Sequence, residues 1–281
     1  MSPPLVTIIV LNWNRRDLTL QCLRSLDRLQ YENVTLLVVD NGSRDGSLEA
    51  VEAAYPRVQR LALPENSGFA RGNNAGLELA LKAGPDWIMF LNNDTEVAPD
   101  LVSALVAGAA AFPQGGIFGP KIYYGGQQRR IWYAGGEVAM PLGRIRHRGI
   151  RSRDHGQYDL PGPTDYVTGA CLLIRAQLAR TLGGFDTAYP MYMEDVDLCT
   201  RARRLGAGII YLPAGTLWHH VSSSIGGEAS LRKAALKLRS SLLYYRRYAR
   251  PWHWPTILLY QLLYYLLLGP LRYLRSRLPP A

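Results

Sequence analysis

Four short stretches of the chain hold side chains able to do chemistry. The apolar run 87–91 stops at Asn92, Asn93 and Asp94, followed by Thr95 and Glu96. A carboxylate among amide and hydroxyl oxygens suits a hard cation such as Mg²⁺ or Mn²⁺, which takes one or two carboxylates and fills its shell from substrate phosphates. The same residue types make good turns, so this stretch alone leaves both uses open. Further on, Glu194, Asp195 and Asp197 open a helical pattern whose apolar face carries Val196, Leu198, Cys199 and Ala202. Acids in a first turn cap orphan amides and complement the helix dipole, yet three exceed what one cap needs and leave a carboxylate for general-base work.

His219 ends an apolar strand pattern next to His220. Neighbours on an extended strand point to opposite faces, so one of the two imidazoles can face a site, to complete a metal shell or bind phosphate. A structural role is the alternative. In "NSGFARGNN", residues 66–74, Gly68 and Gly72 permit close backbone approach and Arg71 offers a charged fork to an anion at a loop-to-helix junction. Glycine at such a junction also has a purely conformational use.

The elements that must position these groups follow from hydrophobic periodicity. "LVTIIVLN" precedes a helical pattern near 17–29, "VTLLVVD" one near 46–54, "VQRLAL" one near 69–83, and "WIMFLNN" one near 99–112. Strands alternating with amphipathic helices predict βαβ units and an α/β fold whose sheet is mostly parallel and covered on both faces. Ligands of such sheets bind beyond the carboxyl ends of the strands. Those ends are Asn12–Asn14, "DNGSRDGS" from Asp40, the 64–74 loop and the Asn92 tip, so four polar tips on one edge predict one site. No G-x-G-x-x-G follows the first strand, which removes the usual dinucleotide fingerprint. Residues 121–165, rich in Gly, Pro and Arg, read as a flexible or hairpin insertion. The remainder reads as a strand "DYVTGACLLI", a helix near 194–205 and a strand "GAGIIYLP" running to "LWHH".

Composition bounds the setting. The chain has 281 residues, 48% of them hydrophobic, enough for a large core. Three widely spaced cysteines give neither a disulfide framework nor a paired metal site, and predict a reducing, cytoplasmic environment. The start, Met-Ser-Pro-Pro before a strand, lacks the basic region and cleavage site of a signal peptide. Of the net charge of +10, one concentration lies in "RIRHRGIRSR", 144–153, and another runs from Arg232 to Arg277. The second flanks "WHWPTILLYQLLYYLLLGPL", 252–271, which Pro255 and Gly269 interrupt. It predicts a helix lying in or re-entering a membrane surface, with arginines against anionic lipid; a buried core helix is the alternative.

Taken in order, "VTIIVLNWNRRDLTLQCLRSL", "LLVVDNGSRDGS", "NSGFARGNNAGL", "IMFLNNDTEV", "VTGACLLIR", "LGGFDTAYPMYMEDVDLCTRARRLG", "IIYLPAGTLWHHVSSSIGG" and "LRSSLLYYRRY" resemble the family 2 glycosyltransferases, inverting enzymes of the GT-A fold, and their rhamnosyltransferase-like branch in particular. The resemblance implies a glycosyltransferase domain over 1–227, with a nucleotide-sugar half (1–100) and an acceptor half (101–227), and a helical membrane-associating region over 228–281. It implies that Asn12 and Asp40 hold the nucleoside. Arg71 and Asn74 would lie near the diphosphate or sugar, and Asn92 and Asn93 would join them at the donor. Asp94 and His219 would hold a divalent cation, Mg²⁺ or Mn²⁺. Asp195 would be the catalytic base, Glu194 would orient hydroxyls, and Gly169 and Ala170 would shape the acceptor floor. Asn92 stands where many relatives carry the first acid of D-x-D, which lowers the charge offered to a metal.

The implied partners are a nucleoside diphosphate sugar, dTDP-L-rhamnose by the branch, and a lipid-linked or glycan acceptor at the inner face of the cell membrane. The insertion and the loop after His219 would serve as lids. A nucleotidyltransferase would need a glycine-rich triphosphate loop after the first strand, where "LNWNRRD" has none. A nucleic-acid binder would use the positive charge but has no need of acids at several strand ends, so no nucleic acid is expected.

Overall fold

The computed structural model describes residues 2–126, 129–221 and 231–264, with side chains omitted for 231–233. Strands β1 (Val6–Asn12), β2 (Val34–Asp40), β3 (Gln59–Ala62) and β4 (Trp87–Asn92) alternate with helices α1 (Arg16–Leu26), α2 (Ser47–Ala54) and α3 (Phe69–Ala80). Then follow β5 (Thr95–Val97), α4 (Leu101–Ala110), β6 (Gly115–Tyr124), β7 (Ile131–Tyr133), β8 (Gly136–Ala139), β9 (Arg144–His147), β10 (Gly162–Pro163) and β11 (Cys171–Arg175). The last elements are α5 (Ala176–Leu182), α6 (Glu194–Arg204), β12 (Gly208–His219), α7 (Leu231–Tyr248) and α8 (Trp254–Leu263).

The predicted βαβ units are present, and the first four strands lie parallel in the order β3-β2-β1-β4. Because the chain winds outward in both directions from β1, the crevice between the ends of β1 and β4 is the switch point where such sheets bind ligands. Register places the tips level there: Asn12 pairs with Asp40, and Leu11 with Asn92. A central strand covered on both faces needs apolar side chains on both, and Val6, Ile8, Ile9 and Val10 of β1 are wholly buried. Helix α3 lies close on the sheet through Gly72 and Gly76, one turn apart. A Cβ on Gly72 would come within 2.6 Å of Leu11, and one on Gly76 within 2.7 Å of Val39 and 2.8 Å of Ile9.

Antiparallel β11 joins this half to the other by pairing with both β4 and β6. Strand β12 runs parallel to β6, but its register breaks between Leu212 and Thr216. Past the break it also pairs antiparallel with β5, so that His219 lies opposite Thr95.

Three expectations change. The 121–165 region is not a flexible insertion: Ile131, Tyr133 and Ala134 are fully buried, and Lys121, itself buried, ties Asp154 and Asp159 to β6. The antiparallel β6–β7 and β8–β9 pairs fit the hairpin reading. The "DYVTGACLLI" strand starts at Cys171, since residues 166–170 leave the ladder. Helix α7 is no appendage beyond residue 227, because Tyr244 and Tyr245 are each only 2% exposed within the same core. The loop 222–230 and residues 265–271, on which a lid and the end of the membrane segment were expected, lie outside the described residues, as do Arg272, Arg275 and Arg277.

Gly76→Ala tests the α3 seat. The helix gains about 1 kcal/mol of propensity, whereas crowding two branched side chains costs about 1–3 kcal/mol. The variant should lose up to about 2 kcal/mol net, read as a lower urea midpoint at unchanged slope.

Candidate active site

On the donor side the tips are knitted by one side chain. The Asn12 amide donates to Asp40 Oδ1 at 2.8 Å and to Ser43 Oγ at 3.1 Å. Its oxygen accepts from Thr19 Oγ1 at 2.8 Å and from Asn93 Nδ2 at 3.0 Å. Two donors and two acceptors exhaust what an amide can do. Asn12 therefore holds the β1, β2 and β4 tips in register. Asp40, 5% exposed, also takes the Ser43 N–H at 2.9 Å. Beside it opens a cavity of about 220 Å³ lined by Asp40, Gly42, Ser43, Arg44, Ser47 and Leu63. That is below the roughly 300–1,000 Å³ of a whole small-ligand site, so it has room for part of one.

Asn41 fixes the next loop through Asn66, Ser67 and Gly68, leaving Arg71 exposed in the first turns of α3 with no carboxylate partner among the described residues. The Asn74 side-chain amide donates to the Phe185 carbonyl at 2.7 Å and accepts the Phe185 N–H at 2.8 Å, so it clamps the segment after α5 to α3.

Beyond the β12 register break, His219 Nε2 lies 2.9 Å from Asp94 Oδ1, across 125 positions of sequence. The His220 N–H bonds the Asp94 carbonyl at 2.8 Å, while its ring turns away to within 3.7 Å of Glu96. One histidine of the pair thus faces the acid, as strand geometry requires. His219 Nδ1 is buried without a hydrogen-bond partner. Trp132 packs edge-on against that ring at 4.4 Å and is backed in turn by His147, whose Nδ1 hydrogen-bonds with the Tyr166 hydroxyl at 2.9 Å. Burial, then the charges of Lys237 and His219, depress His147 to about 3, so it is neutral. No cluster of three or more His, Cys, Asp or Glu able to hold a metal occurs among the described residues. One carboxylate and one imidazole nonetheless fit a hard cation whose remaining ligands are phosphate oxygens and water, and the orphaned, buried ring nitrogen marks a polar site left incomplete by protein atoms.

The acids of α6 separate by direction. Asp195 accepts the Gly169 N–H at 3.0 Å and the Val196 N–H at 2.8 Å, while Glu194, 8% exposed, has an oxygen with no partner. Burial and then the Asp195 charge push Glu194 up to about 8. Burial also raises Asp195, opposed by the Gly169 and Val196 amides and the Thr168 hydroxyl. Of the two, Asp195 therefore ionises first and Glu194 keeps its proton, the split by which neighbouring carboxyls take base and donor roles. Asp197, fully buried, faces the other way, where Tyr189, Tyr248 and Arg201 bond it. It is a structural anchor, not a spare base.

Gly169 brings the halves together. A Cβ on it would come within 3.1 Å of Phe69, at the start of α3, and 3.8 Å of Asp195 Cβ. The Ala170 carbonyl accepts the Asn92 N–H at 3.0 Å. From Asp195 through Gly169 and Ala170 to Asn92, Asp94 and His219 the contacts are continuous. Trp132, His147, Tyr166 and Thr168 were missed in the sequence, although the alternation of "IWYA" marked Trp132 as the exposed member of a short strand.

Residues 7–183 match the family model described as Glycosyl transferase family 2. N-acetylglucosaminyl-diphospho-decaprenol L-rhamnosyltransferase of Mycobacterium tuberculosis is 31% identical over 251 residues, covering 83% of this chain and 81% of that protein. The O-antigen biosynthesis protein RfbC of Myxococcus xanthus is 29% identical over 262 residues, 90% of this chain but 20% of that protein. Among solved structures, GalNAc-T7 with UDP, GalNAc and Mn²⁺ superposes with a TM-score of 0.67 at 14% identity, over 89% of this chain and 49% of that one. Mannosyltransferase PcManGT of Pyrobaculum calidifontis, with GDP-Man and Mn²⁺, gives 0.62 at 21% identity, over 95% and 71%. At these identities the two structures establish the GT-A fold.

The raised Glu194 has a signature in stability. The native state keeps a proton that the unfolded chain releases above about 4.5, so stability falls as pH rises from there to about 8. Glu194→Gln should flatten that fall in urea unfolding between about pH 5 and pH 8. An unchanged slope would show that Glu194 holds no proton there.

Proposed function

This chain belongs to glycosyl transferase family 2 and is a glycosyltransferase; on that footing we propose that it works by inversion, with Asp195 as the base and a nucleoside diphosphate sugar as donor. The observation that carries the reading is the continuous contact from Asp195 through Gly169 to the Asn92–Asp94 tip, which sets a base beside the switch-point crevice.

In this reading the acceptor hydroxyl lies against Asp195, which takes its proton as the oxygen attacks the anomeric carbon. The bond from that carbon to the diphosphate breaks on the opposite face, the nucleoside diphosphate leaves with the bonding pair, and a single displacement inverts the centre. Protonated Glu194 donates a hydrogen bond to a sugar hydroxyl and adds no second negative charge. Arg71, exposed at the start of α3, meets the phosphates, and Asp40 with its adjoining cavity takes the nucleoside. Asp94 and His219 are the residues that would hold a divalent cation, Mg²⁺ or Mn²⁺, whose contribution when bound is neutralisation of charge on the leaving diphosphate. Trp132 and the β8–β9 ribbon keep water from this corner.

The donor sugar and acceptor are proposed from the M. tuberculosis relative, whose name gives L-rhamnose and N-acetylglucosaminyl-diphospho-decaprenol. We assign dTDP-L-rhamnose and a lipid-diphosphate-linked saccharide. No helix among the described residues is long and apolar enough to cross a membrane. Helix α8 instead buries Ile257 and Gln261 and exposes Leu258, Leu259, Leu262 and Leu263, with Trp252 just before it and Arg246 and Arg250 nearby. That face supports peripheral attachment to anionic lipid at the inner membrane surface, where such an acceptor resides.

A panel of UDP-, dTDP- and GDP-sugars with Mg²⁺ or Mn²⁺, read by nucleoside diphosphate release onto a polyprenyl-diphosphate saccharide, should single out dTDP-L-rhamnose. Asp195→Asn should cut turnover by roughly 10²–10⁴-fold with nucleotide affinity intact, and Asp94→Ala should chiefly weaken donor binding. Retained turnover in Asp195→Asn would remove the base. Leu259→Asp with Leu262→Asp should abolish pelleting with anionic vesicles without loss of fold, since both positions are 56% exposed.

A further inference from the structure

The "LRSSLLYYRRY" stretch of α7 supplies no group to the reacting atoms in the mechanism above, yet its inner face is polar where a docked helix is ordinarily apolar. Ser240 Oγ donates to the Met191 carbonyl at 2.7 Å. The Tyr244 hydroxyl meets Thr200 Oγ1 at 2.8 Å, Arg247 pairs with Asp186, and the Tyr248 hydroxyl donates to Asp197 at 2.7 Å. Positions 240, 244, 247 and 248 form one helical stripe, and every bond from it lands on 186–200, the segment that carries the two site acids.

Two of these bonds fall on either side of a strained turn. Tyr192 and Met193 both sit at φ 68°, in the left-handed region that L-residues other than Asn and Asp seldom enter. Such a conformation persists only where its surroundings over-determine it, and it concentrates at functional sites. Here the anchors are Met191, immediately before the turn, and Asp197, whose N–H closes the first helical bond onto the Met193 carbonyl at 2.8 Å. Between them lie only the turn, Glu194, Asp195 and Val196. Ser240 is fully buried in a helix interior, a poor place for serine unless its hydroxyl has a task. If the turn relaxed toward ordinary φ values, α6 would begin differently and its first two side chains would swing.

We propose that Ser240 and Tyr248 are positioning residues for the transfer reaction: by holding Met191 and Asp197 they lock the left-handed Tyr192–Met193 turn and aim Glu194 and Asp195 at the acceptor. Helix α7 is then a working part of the acceptor site. The inference rests on Asp195 acting as the base.

The test is a double-mutant cycle between Ser240→Ala and Met193→Gly, with Tyr248→Phe as a second, volume-preserving probe. Glycine adopts φ 68° without strain, so Met193→Gly relieves one of the two strained residues and leans less on the clamp. Ser240→Ala and Tyr248→Phe should each lower kcat by roughly ten- to hundredfold, the scale of a misplacement near 1 Å. KM for donor, nucleoside diphosphate affinity and the far-ultraviolet spectrum should stay as in the parent. In the Met193→Gly background the loss from Ser240→Ala should shrink to about threefold or less, the coupling a cycle isolates. Parental kcat in both single variants, or the same fold-loss in both backgrounds, would overturn the proposal. Asp195→Asn assayed alongside separates the two readings: if it retains turnover, the base assignment fails first, and if it is inactive while the cycle is additive, only the clamp fails.

Discussion

Three residue pairs of backbone ladder, Thr95–Val97 against Leu217–His219, hold the candidate site together. Without them Asp94 would end a parallel strand in one half of the sheet and His219 would end a different strand in the other. The register break between Leu212 and Thr216 makes the pairing possible, because it lets β12 leave its first alignment with β6 and present its last residues to β5 as well. A bulge of this kind re-aims a side chain at small cost. The charge-bearing contact, His219 to Asp94, is thus a consequence of main-chain hydrogen bonding.

The two sides of the crevice are built on opposite principles. On the donor side every polar valence of Asn12 is satisfied, and Asp40, Ser43, Thr19 and Asn93 are cross-linked through it. A fully satisfied buried network is rigid and specifies one arrangement. Around the α6 acids lie a strained turn and an unpartnered Glu194 oxygen. Unsatisfied groups and backbone strain are costly, so their concentration beside Asp195 marks where protein atoms leave room for substrate atoms. Loss of Asn12 would disturb a scaffold, whereas loss of Glu194 would relieve one.

Much of this was legible in the residues. The alternation of strand and helix patterns fixed the βαβ units, and the placement of polar groups at strand ends put Asn12, Asp40, the 64–74 loop and Asn92–Asp94 on one edge, because a parallel sheet brings all such ends together; that His219 meets Asp94 depends on the β12 register break and the β5 pairing. What could not be read depended on contacts between segments remote in sequence. The partners of Asn12 and Asn74 are an example, since an asparagine does not announce that its amide meets Asp40 or Phe185. Trp132 and His147 sat in a stretch whose Gly, Pro and Arg content resembles a loop. Its order comes from buried Tyr133 and from the Lys121 ion pairs, which are tertiary. The polar stripe of α7 was hidden by its arginines, which suggested a lipid contact for the whole helix.

The acids of α6 show how a distinction can be present in a sequence and still need geometry to be drawn. Successive residues of a helix turn by about 100°, so Asp197 lies roughly 200° from Asp195, on the opposite face, and about 60° from Glu194. Helical spacing alone thus forbids Asp195 and Asp197 from serving one reacting centre. It does not say which of them faces the crevice. That is settled by the Gly169 N–H, which meets Asp195 at 3.0 Å, and by Tyr189, Tyr248 and Arg201, which close around Asp197. Reversing the two environments would place a carboxylate stripped of its amide donors at the crevice and a base beneath α7, where no sugar hydroxyl could reach it. The sidedness of α6, and with it the chemistry available at the crevice, therefore depends on what packs behind the helix as much as on the acids it carries.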